Sequence, residues 1–312
     1  MKEEYKFNAD YESIDSLEKP KILLFGDTGW AMGRIFTNIA HYLKDDYDFT
    51  ILDWEKDYTL FFNTWKNYDI IIGSTTLSSV LDNSDFNKKL ICIAWSDPLL
   101  NNSKFGERLT NANGIMWGSA TSYIKLKLEE LNIKSEPVIA GVNSNNFYPL
   151  RKIQKINTIG MVCPSPDPIN LEYIGAYHVK KPEILIEVAN KCNLAYEFIY
   201  NRPPSDNMNL YNNIDMYVCA SASDAGPFSI AECAFCKIPV ISTPVGYASK
   251  FKSIKTFTTI DEAVSIINEL NSDPKKLEKY INDVYEELRH ELNWDNVAKK
   301  YWKPLIKKRI KI

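Results

Sequence analysis

Short apolar runs alternate with longer amphipathic stretches along the first half of the chain. KILLFG (21–26), DFTILDW (48–54), YDIIIGS (68–74), LICIAWS (90–96) and GIMWGS (114–119) are each closed by a polar or turn residue. Between and after them lie the helix-like stretches AMGRIFTNIAHYLK (31–44) and SYIKLKLEELNI (122–133), and PVIAG (137–141) reads as a last short strand. Apolar runs of this length without period-two alternation fit the strands of a parallel sheet covered on both faces. Their alternation with helices implies βαβ units and a doubly wound α/β fold.

The pattern then restarts. After the polar connector NNFYPLRKIQK, the run NTIGMVC (157–163) opens a second series. A helix over 180–192, a strand over 195–201, the run IDMYVCAS (214–221), a helix across 227–236 and the strand PVISTPV (239–245) continue it. From about residue 260 the chain reads as helical, with Asp261 and Glu262 opening one helix and Asp273 and Pro274 the next. Two doubly wound units in series are expected: a first domain over 1–150, a second over 151–292, and a helix with a basic tail over 293–312. In such sheets ligands bind at the carboxyl ends of the strands, which places a site in the cleft between the units.

Composition narrows the class without adding to the fold. With 312 residues, 45% of them apolar and 25% charged, the chain matches a soluble globular protein large enough for two cores. No apolar run approaches the ~18–20 residues that span a bilayer, and MKEEYKFNADYES (1–13) lacks the apolar centre of a signal peptide. A cytoplasmic protein with reduced thiols is expected. Cys233 and Cys236 stand one helical turn apart with no second pair, and the three histidines are distant in sequence, which argues against a zinc site. A net charge of −3 argues against a general nucleic-acid binder. It conceals an acid-free, lysine-rich end, KKYWKPLIKKRIKI (299–312), which reads as a solvated helix face or as a patch for an anionic surface.

Two segments carry candidate chemistry. FGDTGWAMGR (25–34) spaces its glycines as GxxGxxxG at the first strand–helix junction, where backbone amides and the helix dipole suit an anion. The spacing is not that of a dinucleotide fingerprint, although Asp53 ends the second strand where a ribose-binding acid would stand. The second segment, IDMYVCASASDAGPFSIAECAFCKIPVISTPVG (214–246), is more specific. A strand ends in small polar residues, followed by Asp224, a Gly-Pro turn, a helix and then Glu232 eight residues on. That separation is close to two helical turns, so both acids can face one cleft. Asp224 also suits a helix cap, and Glu232 stands among Ile230, Ala231, Cys233 and Ala234. A carboxylate in so apolar a setting needs a partner, and a ligand hydroxyl or amide is expected.

The segment 221–246 resembles the acid-x7-acid motif of retaining GT-B glycosyltransferases of the family-4 type. AGVNSNNFYP (140–149) resembles their interdomain G-V-D-x-x-x-F-x-P signature, HVKKPEILIEVA (178–189) a lysine-led helix start, and NWDNVAKKYW (293–302) the Trp-containing helix that crosses back to the first domain. With the glycine-rich loop, the resemblance runs in order from about residue 20 to 305. It implies two Rossmann-like domains facing across a cleft. The activity implied is transfer of a sugar from a nucleotide diphosphate sugar, with UDP or GDP as nucleotide, to an acceptor hydroxyl. It implies no metal and no other cofactor.

The resemblance also assigns roles. Glu232 would accept hydrogen bonds from the ribose hydroxyls, and Asp224 would stand near the donor sugar. The turn of Gly226 and Pro227, with the amides of Phe228 and Ser229, would open toward sugar and phosphates. Lys180 would neutralise the departing diphosphate, while Gly29 and its loop would approach the donor or acceptor. Some positions depart from the family pattern. Asp224 and Ala225 replace Glu and Gly, and Asn143 stands in place of the interdomain Asp. Asp97 in AWSDP stands where a catalytic-side histidine is often found, and Arg202 is the candidate for an arginine without a match in 160–173. His178 precedes Lys180 and is a further candidate for the donor side. The acceptor is left open among a glycan, a lipid-linked sugar and a modified nucleic-acid base, with peripheral contact through the basic tail. An epimerase of sugar nucleotides and a catalytically silent binding protein are the other uses of such a fold. An NAD-dependent oxidoreductase would account for the glycine-rich loop alone.

Overall fold

The computed structural model describes residues 18–29, 31–74, 83–95, 113–163, 178–199, 206–224, 226 and 228–311. The first sheet contains β1 (Lys21–Gly26), β2 (Asp48–Asp53), β3 (Ile70–Ser74), β4 (Leu90–Ala94), β5 (Met116–Ser119) and β6 (Ser135–Pro137), in the order β2-β1-β3-β4-β5-β6. The second contains β7 (Thr158–Val162), β8 (Ala195–Ile199), β9 (Met216–Cys219), β10 (Val240–Ser242) and β11 (Lys255–Thr256), in the order β8-β7-β9-β10-β11. Every pairing is parallel. The two orders are the same doubly wound pattern, with β6 added at one edge of the first sheet. Each reverses direction beside its first strand, which opens a crevice at the carboxyl ends of the strands.

Helices cover both sheets. The first domain carries α1 (Ala31–Leu43), α2 (Tyr58–Thr64), α3 (Ser84–Asn87) and α4 (Ser122–Glu130). The second carries α5 (Pro182–Cys192), α6 (Asn207–Tyr211), α7 (Phe228–Phe235), α8 (Ile260–Asn271) and α9 (Pro274–Leu292). Then follow α10 (Trp294–Val297), a π-helical stretch (Ala298–Trp302) and α11 (Lys303–Ile310). The expected starts near 260 and 273 are capped as such. Thr259 and Glu262 form a reciprocal capping box, and Asp273 accepts the Lys275 amide ahead of Pro274.

The strand expected at 137–141 lies earlier, at Ser135–Pro137, paired with Trp117–Ser119. Residues 138–140 leave the sheet to begin the connection between domains. Val138 and Ala140 pack into the first domain's core and Ile139 into the second's. The expected strand over 239–245 is confined to Val240–Ser242, and β11 is a two-residue addition.

Successive side chains of β1 divide between two cores, as the pleat requires. Leu23 and Phe25 face the side closed by Phe61, Phe86, Ile124 and Leu128. Ile22 and Leu24 face the other side, which is closed by α1 together with Trp294, Val297, Trp302, Leu305 and Ile306 from the end of the chain. The final segment thus completes a core that begins near residue 22. Trp302 is fully buried and donates its Nε1–H to the Ile139 carbonyl at 2.9 Å. Two chain crossings meet at this junction. The Val142 amide bonds to the Leu292 carbonyl at 2.7 Å, and the Trp294 amide to the Val142 carbonyl at 3.3 Å. Gly141 sits where a Cβ would lie 2.9 Å from the Trp294 ring and 3.0 Å from the Leu292 carbonyl oxygen, so a side chain has no room there.

The basic end of the chain is largely neutralised. Lys299 pairs with Asp295, Lys300 with Glu291, Lys303 with Asp46 and Lys308 with Glu136. Arg309 is buried and donates to the Asn87 carbonyl. The expected solvated helix face is present, since Lys299, Lys300, Lys307, Lys308 and Lys311 are all exposed; its cationic character is reduced because Lys300, Lys303, Lys308 and Arg309 bind groups on other elements. Asp46, at the end of the turn before β2, is one of their anchors at 2.6 Å.

Asp53 ties the end of β2 to the loop after β1. One oxygen accepts the Thr28 amide at 3.0 Å and the Thr28 hydroxyl, and the other accepts the Glu55 and Lys56 amides. These donors, led by the Thr28 hydroxyl, hold its pKa down at about 2.

Two outcomes follow from this packing. Trp302→Ala is expected to lower stability by about 3–5 kcal/mol in urea unfolding, the usual scale for a buried Trp truncation; a loss within error of zero would refute the shared core. Asp53 is held below the ordinary Asp value of about 3.9, so its stabilising contribution is complete above about pH 4 and is lost as pH falls toward 2. Acid titration of Asp53→Asn should show a smaller loss of stability than the wild type across that window.

Candidate active site

The cleft lies between the carboxyl ends of the two sheets. A cavity of about 480 Å³ is lined by Thr121, Ser122 and Ile139 on one side and by Ser223, Asp224 and Gly246 on the other. Thr121 caps α4, its hydroxyl accepting the Ile124 amide, so the start of that helix borders the cavity.

Lys180 and Asp224, taken from segments 44 residues apart, meet here. Lys180 Nζ lies 2.5 Å from Asp224 Oδ2, while Asp224 Oδ1 accepts the Gly226 amide at 3.2 Å. Both side chains are mostly buried. The Ala222 amide donates to the Val179 carbonyl at 2.7 Å, which clips the loop after β9 to the turn bearing Lys180. Lys181 then adopts φ 56°, a left-handed backbone, and Pro182 starts α5. Gly226 takes φ 138°, in the region where glycine is favoured. Burial lowers the affinity of Lys180 for its proton, but the Asp224 carboxylate outweighs it and the net pKa is raised. The ammonium is therefore retained across the neutral range.

Glu232 sits on α7, whose residues from Ser229 to Phe235 are all buried. Its own exposure is 2%. The partner anticipated for it as a ligand group is supplied by the protein: Arg34 Nη1 donates to Oε1 at 2.7 Å and the Tyr211 hydroxyl to Oε2 at 2.6 Å. Arg34 belongs to α1 of the first domain, so this ion pair spans the domain junction. The guanidinium also lies over the Phe228 ring, 5.2 Å from its centroid, and Phe228 packs against the first domain's core. The Ser229 hydroxyl is engaged with Tyr217 at 2.6 Å. Unlike Asp224, Glu232 is not among the residues lining the 480 Å³ cavity.

Gly29 lies on the loop after β1, its amide donating to Asp27 at 2.8 Å. Of the three glycines at this strand–helix junction, Gly33 on α1 has the plainest structural reason. A Cβ there would fall 2.1 Å from the Thr28 carbonyl oxygen, where the loop folds back on α1. His178 is exposed on the turn before Lys180. Asp97, Arg202 and Pro227 lie outside the described residues. Asp53 is already committed to the loop donors above, which removes the basis for a dinucleotide ribose contact there. Cys233 and Cys236 are fully buried, and burial pushes the Cys236 thiol up to about 12, so neither behaves as a reactive pair.

Sequence reasoning missed Arg34 and Tyr211. Arg34 ends the glycine-rich string FGDTGWAMGR. A cation on the apolar opening of α1, AMGRIF, is the one signal that pointed to a buried acid partner. Tyr211, in NLYNN, carried none.

No protein-family profile matches the chain, and no curated protein sequence does. Solved structures do. Sucrose-phosphate synthase from Thermosynechococcus elongatus aligns with a TM-score of 0.68 at 11% identity, over 93% of this chain and 99% of that one. HepE from Anabaena, solved with UDP and glucose, aligns at 0.69 and 13% identity, over 92% and 100%. The lipopolysaccharide outer core galactosyltransferase WaaB, in its apo form, aligns at 0.63 and 14%, over 93% and 99%. At these identities the agreement is one of architecture, and it extends over both domains in each case. The chain has the GT-B fold, two Rossmann-like domains facing across a cleft, as the order of its sequence motifs implied.

Proposed function

We propose that this protein is a glycosyltransferase that moves a sugar from a nucleotide diphosphate sugar to an acceptor hydroxyl with retention of configuration. The observation that carries the proposal is the Lys180–Asp224 pair at the cavity between the two sheets. It joins an ammonium, held protonated by its carboxylate partner, to that carboxylate at the position where a diphosphate leaving group and a sugar ring would meet in this fold.

The roles follow from charge and position. The donor lies on the second domain, with the ribose toward Glu232 and the diphosphate toward Lys180. As the bond from the anomeric carbon to the phosphate oxygen breaks, negative charge grows on the diphosphate, and Lys180 stabilises it. The acceptor oxygen bonds to the anomeric carbon on the same face, and its proton passes to the departing phosphate oxygen. Asp224 holds the ammonium in place and borders the sugar. Because Lys180 supplies the positive charge, the reaction proceeds without a metal ion. Asp97 enters as a catalytic candidate and Arg202 as a donor-binding candidate, on the sequence resemblance alone. A cleft between domains suits closure over the reactants, which excludes water that would otherwise hydrolyse the donor.

A thermal-shift panel of UDP-, GDP-, ADP- and TDP-sugars tests the assignment, and HepE, solved with UDP and glucose, makes the UDP series the first to try. A true donor at about a hundred times its Kd stabilises the protein by ~2.7 kcal/mol. Stabilisation by none of the four would sink the proposal. With the donor found, Lys180→Ala is expected to lower kcat by about 10²–10³-fold, the range seen when one stabiliser of a developing anion is removed. KM should change far less, and turnover in EDTA should match turnover without it.

A further inference from the structure

We infer that Arg34 is an interdomain latch that covers Glu232, and that a nucleotide donor must displace it to reach that carboxylate. The inference rests on the proposed reading of Glu232 as the acceptor of the ribose hydroxyls.

A ribose diol needs a carboxylate with open surface and free lone pairs. Glu232 has 2% of its surface exposed, and each of its oxygens already holds a donor. In this conformation a diol is shut out, so one donor has to leave before a nucleoside can bind. Tyr211 is not that donor. It is 1% exposed, belongs to the same domain as Glu232, and stands beside Phe147 and Tyr217 in the second core. Its role is to fix the carboxylate.

Arg34 differs on each count. It comes from the opposite domain, its side chain is 34% exposed, and one hydrogen bond to Oε1 holds it with the Phe228 ring beneath. Its Nε is buried without a hydrogen-bond partner among the described residues. Moving the first domain away from the second withdraws Arg34 and uncovers Glu232 in one step. The junction for such a movement is the pair of crossings at Val142 and Leu292–Trp294. Because α7 carries Phe228 as well as Glu232, withdrawal would also bare the ring on which the guanidinium rests. Closing the latch and binding the donor therefore compete for the same carboxylate oxygen.

Titration calorimetry with UDP and GDP on the wild type, Arg34→Gln and Arg34→Lys tests this, with small-angle X-ray scattering on the unliganded proteins. Arg34→Gln should bind nucleotide about five- to tenfold more tightly, the low end of the coupling expected between two conformational states. It should also scatter with a larger radius of gyration, and Arg34→Lys, which keeps the charge, should lie nearer the wild type in both. Equal or weaker binding by Arg34→Gln would overturn the latch, weaker binding marking Arg34 as a group that holds the donor. If neither nucleotide binds any of the three proteins, the donor reading of Glu232 fails. The scattering then decides the latch alone: an unchanged radius overturns it, and an expanded Arg34→Gln sustains it.

Discussion

The arrangement of this molecule depends on the insertion of its last helical segment into the core of its first domain. Trp294, Val297, Trp302, Leu305 and Ile306 are not a cap laid over a finished sheet; they form one wall of the layer against which Ile22 and Leu24 pack. Buried aromatic surface of this size is among the larger favourable terms available to a domain. The chain therefore passes between the domains twice, at residues 138–142 and again at 292–294, and the two passages are hydrogen-bonded to each other. A single linker would leave the sheets free to wander. Two bonded crossings restrict relative motion to displacements that keep Gly141 against Trp294.

That restriction explains why the candidate chemistry can be divided between distant parts of the chain. Lys180 and Asp224 stand on neighbouring loops of one sheet, and their geometry is set within the second domain by the Ala222–Val179 bond. Glu232 is different, because one of its partners comes from across the junction. The first pair is insensitive to how the domains sit, whereas the second reports on it. A cleft with one contact of each kind is able to hold one pair in place while access to the other carboxylate varies.

The strands were legible where the physics was local. β1, β3 and β4 are continuous apolar runs because both their faces are covered, and their ends fall within two residues of expectation. β11 was invisible, since two residues carry no period, and residues 138–140 were misread because a connection buried between two cores looks as apolar as a strand. Lys180 and Asp224 were recognisable as candidates through motif order; that they touch was not. Glu232 was recognisable as a carboxylate in need of a partner, from its small apolar neighbours. The partner itself depends on how α1 meets α7, 198 residues away along the chain, and no local pattern encodes that. The lysines of the tail show the same limit. Their number was plain, but Asp46 and Glu136, which bind two of them, lie far upstream.

The shared core also bears on how the protein comes into being. During synthesis the first sheet emerges long before residues 294–306, so Ile22 and Leu24 await partners that do not yet exist. The part of that face that α1 does not cover stays open while the second domain is made, and exposed apolar surface of this kind invites association with other chains. Completion of the first domain's core thus waits until after the second domain has been made.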